Sequence, residues 1–374
     1  MTVEVRPVRD KRDLETFVRL PWDIYRDDPN WVPPLLSDVR FQHDASRNPF
    51  FERNHLQDFV AYDGGRPVGR ISAVHNVVSN EFWDDKIGFF GFFESVDRQD
   101  VARALVREAA RWLEGRGLTS VRGPMNYSTN DDIGALIEGF DRPPVLLMPY
   151  NPRYYPELLT STGLTKVKDV VAYVMEPIVL PERLERGAEL VKKRRSITVR
   201  PLNMKKFEAE LQAIQDIYNK AWERNWGFCP MSAREIEHMA EQFKAAVDPN
   251  LVLFAEMDNQ PVAFLLAFPD LNIALKHVNG RLFPFGLFKF LWHKRKIRSG
   301  RVLTLGVKEG YRKLGIDALL MFEVTRAAQR IGYTMGEFSW ILEDNLIART
   351  PLENLGAKVY KTYRIYEAPV ERLR

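Results

Sequence analysis

The 374-residue chain contains itself twice. Val3–Pro7 (VEVRP) returns as Ile197–Pro201 (ITVRP), Asp23–Tyr25 as Asp216–Tyr218, and Asn30–Trp31 as Asn225–Trp226. Ala61–Val68 (AYDGGRPV) aligns with Ala255–Val262 (AEMDNQPV), and Gly163 and Tyr173 align with Gly356 and Tyr366. The offsets are 194, 193, 195, 194 and 193, in one order along the chain. Five ordered matches at nearly one offset read as a duplicated domain. The expected layout is a first domain over 1–178, a linker over 179–195 and a second domain over 196–374. The linker is rich in Pro and charge, and Glu182–Lys193 has helical character.

Each copy carries the same run of elements. A β-rich start (Val3–Val8, Ile197–Leu202) leads into a helical region and then a hairpin. The first hairpin joins His55–Tyr62 to Pro67–His75 through Asp63, Gly64 and Gly65. The second joins Val252–Glu256 to Pro261–Phe268 through Asp258 and Asn259. Asp-Gly or Asp-Asn between alternating apolar runs marks a tight antiparallel turn. Next come a strand (Ile87–Phe93, Val302–Val307), a helix (Val101–Arg116, Asp317–Arg330) and another strand (Ser120–Gly123, Thr334–Ile341). A last helix and strand close each copy. The expected class is mixed α/β, with a largely antiparallel central sheet flanked by helices in each copy.

Composition removes several function classes. With 45% hydrophobic and 28% charged residues, the chain can bury a full core. The 54 basic against 50 acidic residues leave a net charge of only +4, which argues against a nucleic-acid partner in the absence of a local cluster. The single cysteine, Cys229, permits no internal disulfide, and the six histidines are scattered without metal-ligand spacing. No Gly-x-Ser-x-Gly elbow, P-loop or dinucleotide fingerprint occurs. The charged start MTVEVRPVRDKRDLE is unlike a secretory leader, and no apolar run reaches the ~20 residues of a membrane span. The expected address is the cytoplasm.

The most specific segment is Leu303–Ala318 (LTLGVKEGYRKLGIDA), an apolar strand, a loop with two glycines and a helix start. The first amides of a helix lack internal partners, and the helix dipole makes that end an anion site. Arg312 and Lys313 add charge there. This segment resembles the acyl-CoA-binding signature of the GCN5-related N-acetyltransferases. In that family a strand is followed by Gln or Arg, two residues, Gly, one residue, then Gly or Ala. Arg312 and Gly315 match, and Asp317 stands where the small residue belongs. The resemblance implies acetyl-CoA or another acyl-CoA as co-substrate. Its pyrophosphate would lie on Arg312, Lys313, Leu314, Gly315, Ile316, Asp317 and Ala318. Its pantetheine would pair with the strand at Leu305, Gly306 and Val307. A carboxylate at Asp317 has a second reading, that of capping the free amides itself.

A second family motif runs Asn, Ala three later, Tyr seven later and Gly eleven later. Asn345, Ala348, Leu352 and Gly356 fall at those intervals. Leu352 replaces the tyrosine that commonly protonates the leaving thiolate, so the acid must come from elsewhere. Tyr360, Tyr363 and Tyr366 follow, with packing on the last strand as their simpler role. The base candidates are Glu337 and Glu343, which flank Trp340 near the end of a strand; their alternative is plain surface. Trp340 and Asn345 are substrate candidates, with core packing and helix capping as alternatives. In the first copy no glycine remains between Phe92 and Leu105, and Ser95 and Asp97 look like helix caps. That copy reads as a degenerate scaffold. Its polar loops still offer Tyr150 and Tyr154 as substrate contacts and Tyr155 as a proton donor, against interdomain packing.

Residues 281–298 are aromatic first and basic afterwards. Three readings stand: a cover over an acceptor pocket or domain interface, a dock on an anionic membrane surface, or contact with nucleic acid. The resemblance implies acyl transfer to a small-molecule or peptide amine. It leaves open a non-catalytic CoA-sensing or interaction protein of the same fold, or a transferase taking aminoacyl groups from tRNA. Oligomeric state is not encoded in any feature of the sequence.

Overall fold

The computed structural model describes residues 3–244 and 246–374. In chain order the elements begin β1 (Glu4–Pro7), α1 (Lys11–Ile24), α2 (Leu36–Gln42), β2 (His55–Asp63), β3 (Arg66–His75), α3 (Val77–Trp83), β4 (Ile87–Ser95) and α4 (Gln99–Glu114). They continue β5 (Ser120–Gly123), β6 (Ala135–Glu138), α5 (Tyr155–Ser161), β7 (Thr165–Met175), α6 (Glu182–Arg195), β8 (Thr198–Pro201), α7 (Phe207–Trp222) and α8 (Ala233–Phe243). The rest are β9 (Val252–Met257), β10 (Gln260–Pro269), α9 (Asn272–Leu275), α10 (Gly286–Lys294), β11 (Ser299–Val307), α11 (Ile316–Arg330), β12 (Met335–Leu342), α12 (Leu346–Leu355) and β13 (Lys358–Pro369). Both predicted hairpins form. Gly64 and Gly65 in one, and Asp258 and Asn259 in the other, all have positive φ, as a tight turn between right-twisted strands requires.

The chain divides into two compact units, and the division is interleaved rather than contiguous. The first unit is Met1–Val170 with Leu275–Phe290 and Lys361–Arg374; the second is Val171–Ala274 with Leu291–Tyr360. The last strand of each repeat is therefore shared out. Val171–Met175 of β7 belongs with the second unit, and most of β13 belongs with the first. A repeat read from sequence places each copy's last strand with its own copy, because nothing local marks an exchange.

In the first unit β1 to β4 form an antiparallel meander, and β4 meets β5 in parallel over Ile87–Phe89 and Ser120–Arg122. The end of β13 then pairs with β5, Tyr366 opposite Gly123 and Pro369 opposite Ser120. Apolar residues of α4 recur at helical spacing, and Val101, Leu105, Ala109 and Leu113 are buried in the core on one face of this sheet. Tyr366, Ala368, Val370 and Leu373 join the same core.

In the second unit β8, β9, β10 and β11 are antiparallel, and β11 meets β12 in parallel. Helix α11 buries Leu319, Leu320 and Phe322 against one face, while Ile217 of α7 packs with Phe254 and Phe264 on another. The linker is no loose tether. Helix α6 buries Ala188 in the α11 core, and Lys192 pairs with Glu323 at 2.5 Å.

Candidate functional site

Two features of the second unit converge on one place. The parallel register of β11 and β12 ends at Val302 and Phe338, although β11 continues to Val307 and β12 to Leu342. Beyond Val302 the edge of β11 facing β12 has no strand partner there among the described residues, and backbone donors and acceptors on such an edge invite an extended ligand. The register of β10 on β11 also slips, Leu266 facing Thr304 and Ala267 facing Val302. Leu303 is thus an extra residue, a bulge at the point where the strands part. Bulges re-aim backbone groups in this way beside many sites.

The loop after β11 leads directly into α11. Gly315, the cap residue, sits at φ +77° and offers no side-chain acceptor to the first helical amides. The Asp317 side chain makes no hydrogen bond among the described residues, so the self-capping read from its sequence position is not what forms. The amides of Ile316, Asp317 and Ala318 stay open to an anion. The loop is braced from α7: Lys308 pairs with Asp216 at 2.8 Å, and Arg312 donates to the Ala221 carbonyl at 2.7 Å. Arg312 is therefore a brace of the loop, while Lys313 is exposed beside it. Leu305 and Val307 pack toward the α11 core. Gly306 points the other way, and a β-carbon there would stand 2.7 Å from the Trp222 ring.

Glu337 is not a surface carboxylate. It is 1% exposed, on β12 just before the strands part. Ser339 Oγ donates to one of its oxygens and the Tyr360 hydroxyl to the other. Arg301, buried and opposite Glu337 in the register, donates to Ser339 Oγ at 2.9 Å and to the Ser339 carbonyl at 3.2 Å. A buried carboxylate needs such donors, since an unpaired charge in an apolar interior is costly. Sequence reasoning named Glu337 but not Arg301 or Ser339. The i, i+2 spacing of Glu337 and Ser339 on a strand was the available signal; Arg301 becomes visible only with the strand pairing.

The other candidates lie elsewhere. Glu343 is half-buried, and its carbonyl accepts from Arg349 at 2.6 Å. Asn345 caps α12, accepting from the Ala348 amide at 3.2 Å. Trp340 is half-buried, and Leu352 is fully buried in the α11 core. Tyr366 belongs to the first unit's core, where burial pushes its hydroxyl up to about 12. In that unit Tyr155 is buried too, donating to Glu94 at 2.6 Å and accepting from the Ser95 amide at 2.8 Å. Burial, then the Glu94 charge, holds its hydroxyl far above the usual tyrosine range. Tyr154 donates to the Ser95 carbonyl at 2.9 Å and Tyr150 to Asp28 at 2.9 Å.

The first unit's own parting of strands is closed, and not by capping. Arg98 precedes α4 with no side-chain cap bond, and the Ser95 hydroxyl donates to the Val96 carbonyl instead. The closure comes from the segment after β5. The Met125 amide donates to the Phe90 carbonyl at 2.7 Å, and Asn126 Oδ1 accepts from the Phe92 amide at 2.9 Å. A β-carbon on Gly91 would lie 2.4 Å from the Met125 carbonyl, so this segment fills the gap that stays open in the second unit.

No family model matches the chain. It is 35% identical to protein YghO of Escherichia coli over 98% of this chain and 95% of that protein. It is 34% identical to the bacterial ceramide synthase of Caulobacter vibrioides, over 98% of this chain and 97% of that one. The chain belongs to their family. Its fold is that of tandem GCN5-related N-acetyltransferases. A tandem GNAT protein from the clavulanic acid biosynthesis pathway superposes with a TM-score of 0.57 at 12% identity, covering 98% of each chain. A GCN5-related N-acetyltransferase from Sphaerobacter thermophilus gives 0.54 at 13% identity, covering 98% of this chain and 96% of that one. Among the described residues of this tandem fold, no group of His, Cys, Asp and Glu is placed to hold a metal ion. No described helix is long and apolar enough to cross a membrane.

Proposed function

We propose that the chain is an N-acyltransferase that takes its acyl group from acyl-coenzyme A bound by the second unit. One juxtaposition carries this reading: strands β11 and β12 part after Val302, and the uncapped start of α11 follows the same β11. The pyrophosphate lies on the amides from Gly315 to Ala318, and pantetheine runs along the free edge of β11. The thioester then reaches the bulge at Leu303, where a strand amide steadies its oxygen as charge develops. The amine attacks the carbonyl carbon, the C–S bond breaks, and the thiolate leaves as the amide forms. The ammonium proton must be lost first, since an amine near pKa ~10 is mostly protonated at neutral pH. Glu337 accepts that proton through Tyr360, and the Tyr360 hydroxyl stands ready to protonate the thiolate in place of the tyrosine missing at Leu352.

Support for an acceptor class comes from the relative called a bacterial ceramide synthase, similar to this chain over 98% of its length. A ceramide is an amide of a long-chain amine with a fatty acyl group. We infer the same chemistry here, a long-chain amine acylated from a fatty acyl-CoA. The test is calorimetry with acyl-CoAs of increasing chain length, then mass spectrometry of reactions with a long-chain amino alcohol and with hydrophilic amines. Amide product and free thiol with the long-chain amine are expected. Absence of binding at high micromolar acyl-CoA overturns the coenzyme assignment. Binding without transfer to any amine leaves a coenzyme sensor instead.

A further inference from the structure

The segment from Arg281 to Arg298 presents apolar rings to solvent where an internal cover would bury them. Phe283 is 79% exposed, Phe285 71%, Phe288 72% and Trp292 62%. Phe288, Leu291 and Trp292 stand at i, i+3 and i+4 on α10, one face of one helix. A contiguous exposed patch of large rings on a folded chain marks a binding surface.

Charge says what binds. From Leu271 to Lys308 the sequence holds nine Lys and Arg and no Asp or Glu. Arg281, Lys289, Arg295, Lys296 and Arg298 are all exposed, and none is paired with a carboxylate among the described residues. Lys296 lies over the Trp292 ring, its ammonium 5.8 Å from the centroid, so charge and apolar surface adjoin. Rings that enter an acyl layer, rimmed by cations that meet anionic headgroups, are the composition of an interfacial segment. A base-stacking surface would use the same cations. Three phenylalanines and a leucine carrying no polar tips fit the acyl boundary better than a base stack.

We propose that residues 281–298 dock the protein on an anionic lipid surface, with Phe283, Phe285, Phe288 and Trp292 inserted and the flanking Lys and Arg on headgroups. This is independent of the transferase reading, since none of these residues belongs to the coenzyme site. The test is sedimentation of the full chain with vesicles of phosphatidylglycerol and phosphatidylcholine, against phosphatidylcholine alone. Binding to the anionic vesicles only, weakened by about 0.5 M salt, is expected. Phe288→Ala with Trp292→Ala should abolish it. Lys289→Glu with Lys296→Glu should lower the apparent affinity at least about tenfold, at roughly fivefold per charge. The charge variant, at exposed positions, serves if the aromatic one does not fold. Unchanged thermal melting and coenzyme A binding keep the effect local. Equal binding to neutral vesicles, wild-type affinity in both variants, or retention of an RNA oligonucleotide without vesicle binding overturns the proposal.

Discussion

At the scale of the residue, Gly315 matters more to the coenzyme reading than the basic side chains around it. Its φ of +77° is a conformation that costs an L-residue roughly 1–2 kcal/mol. Space is not the obstacle, for a β-carbon there would meet Val191 at an ordinary 3.5 Å. Gly315→Val should therefore leave the fold nearly intact while twisting the amides of Ile316 to Ala318 away from the pyrophosphate. The affinity for coenzyme A should fall at least about tenfold by calorimetry, which corresponds to ~1.4 kcal/mol. Unchanged affinity would remove the loop from the site. Asp317 and Arg312 teach the same lesson from opposite sides. The sequence shows a carboxylate and a cation near a helix start, but side-chain direction depends on neighbours. Arg312 turned to the end of α7, and Asp317 left the amides alone.

At the scale of the element, the last strand is held in the first unit by a bidentate ion pair. Arg364 donates twice to Asp169, both at 2.9 Å, and Lys166 adds a third contact at 2.9 Å. Burial raises the Asp169 carboxyl, but the bonds from Arg364 and Lys166 outweigh it and hold it below its ordinary value of 3.8. A carboxylate depressed in the folded state stabilises above its unfolded pKa, and loses that contribution as pH falls through the folded value. Asp169→Asn should therefore lower stability by about 1–2 kcal/mol near pH 7, discounted for the partly exposed Arg364. The gap to wild type should close as pH drops below about 4, followed by urea unfolding at each pH. A constant gap would assign the effect to packing rather than charge. Element identity itself was largely legible: hairpin turns at Asp63–Gly65 and Asp258–Asn259 and the apolar spacing of α4 and α11 are local signals. The filled gap beside β4 was not, because Met125 and Asn126 reach Phe90 and Phe92 from more than 30 residues away in sequence.

At the scale of the whole molecule, the first unit takes in the end of the chain as well as its beginning. Residues Lys361–Arg374 bring Tyr366, Ala368, Val370 and Leu373 into the first unit's core. Burying side chains of the larger kinds stabilises by ~1.5–3 kcal/mol each, and a domain's net stability is only about 5–15 kcal/mol. A chain ending at Tyr360 should thus lose the cooperative unfolding of its first unit, seen by near-ultraviolet dichroism and urea titration. Halves cut at Ser196 should each fail to fold alone and regain structure when mixed; a stable isolated second half would count against the exchange. Sequence alone determined the duplication, the order of strands and helices in each copy, and the one glycine loop that heads α11. The duplication is written in a repeat at one nearly constant offset, and the elements and the loop in turn residues and apolar periods spanning fewer than about 20 residues. The tertiary structure alone decided which copy each last strand completes, which strand gap stays open, and that Glu337 sits among Ser339, Tyr360 and Arg301. Those outcomes depend on burial and hydrogen-bond satisfaction between segments far apart in the chain, where no local pattern carries the answer.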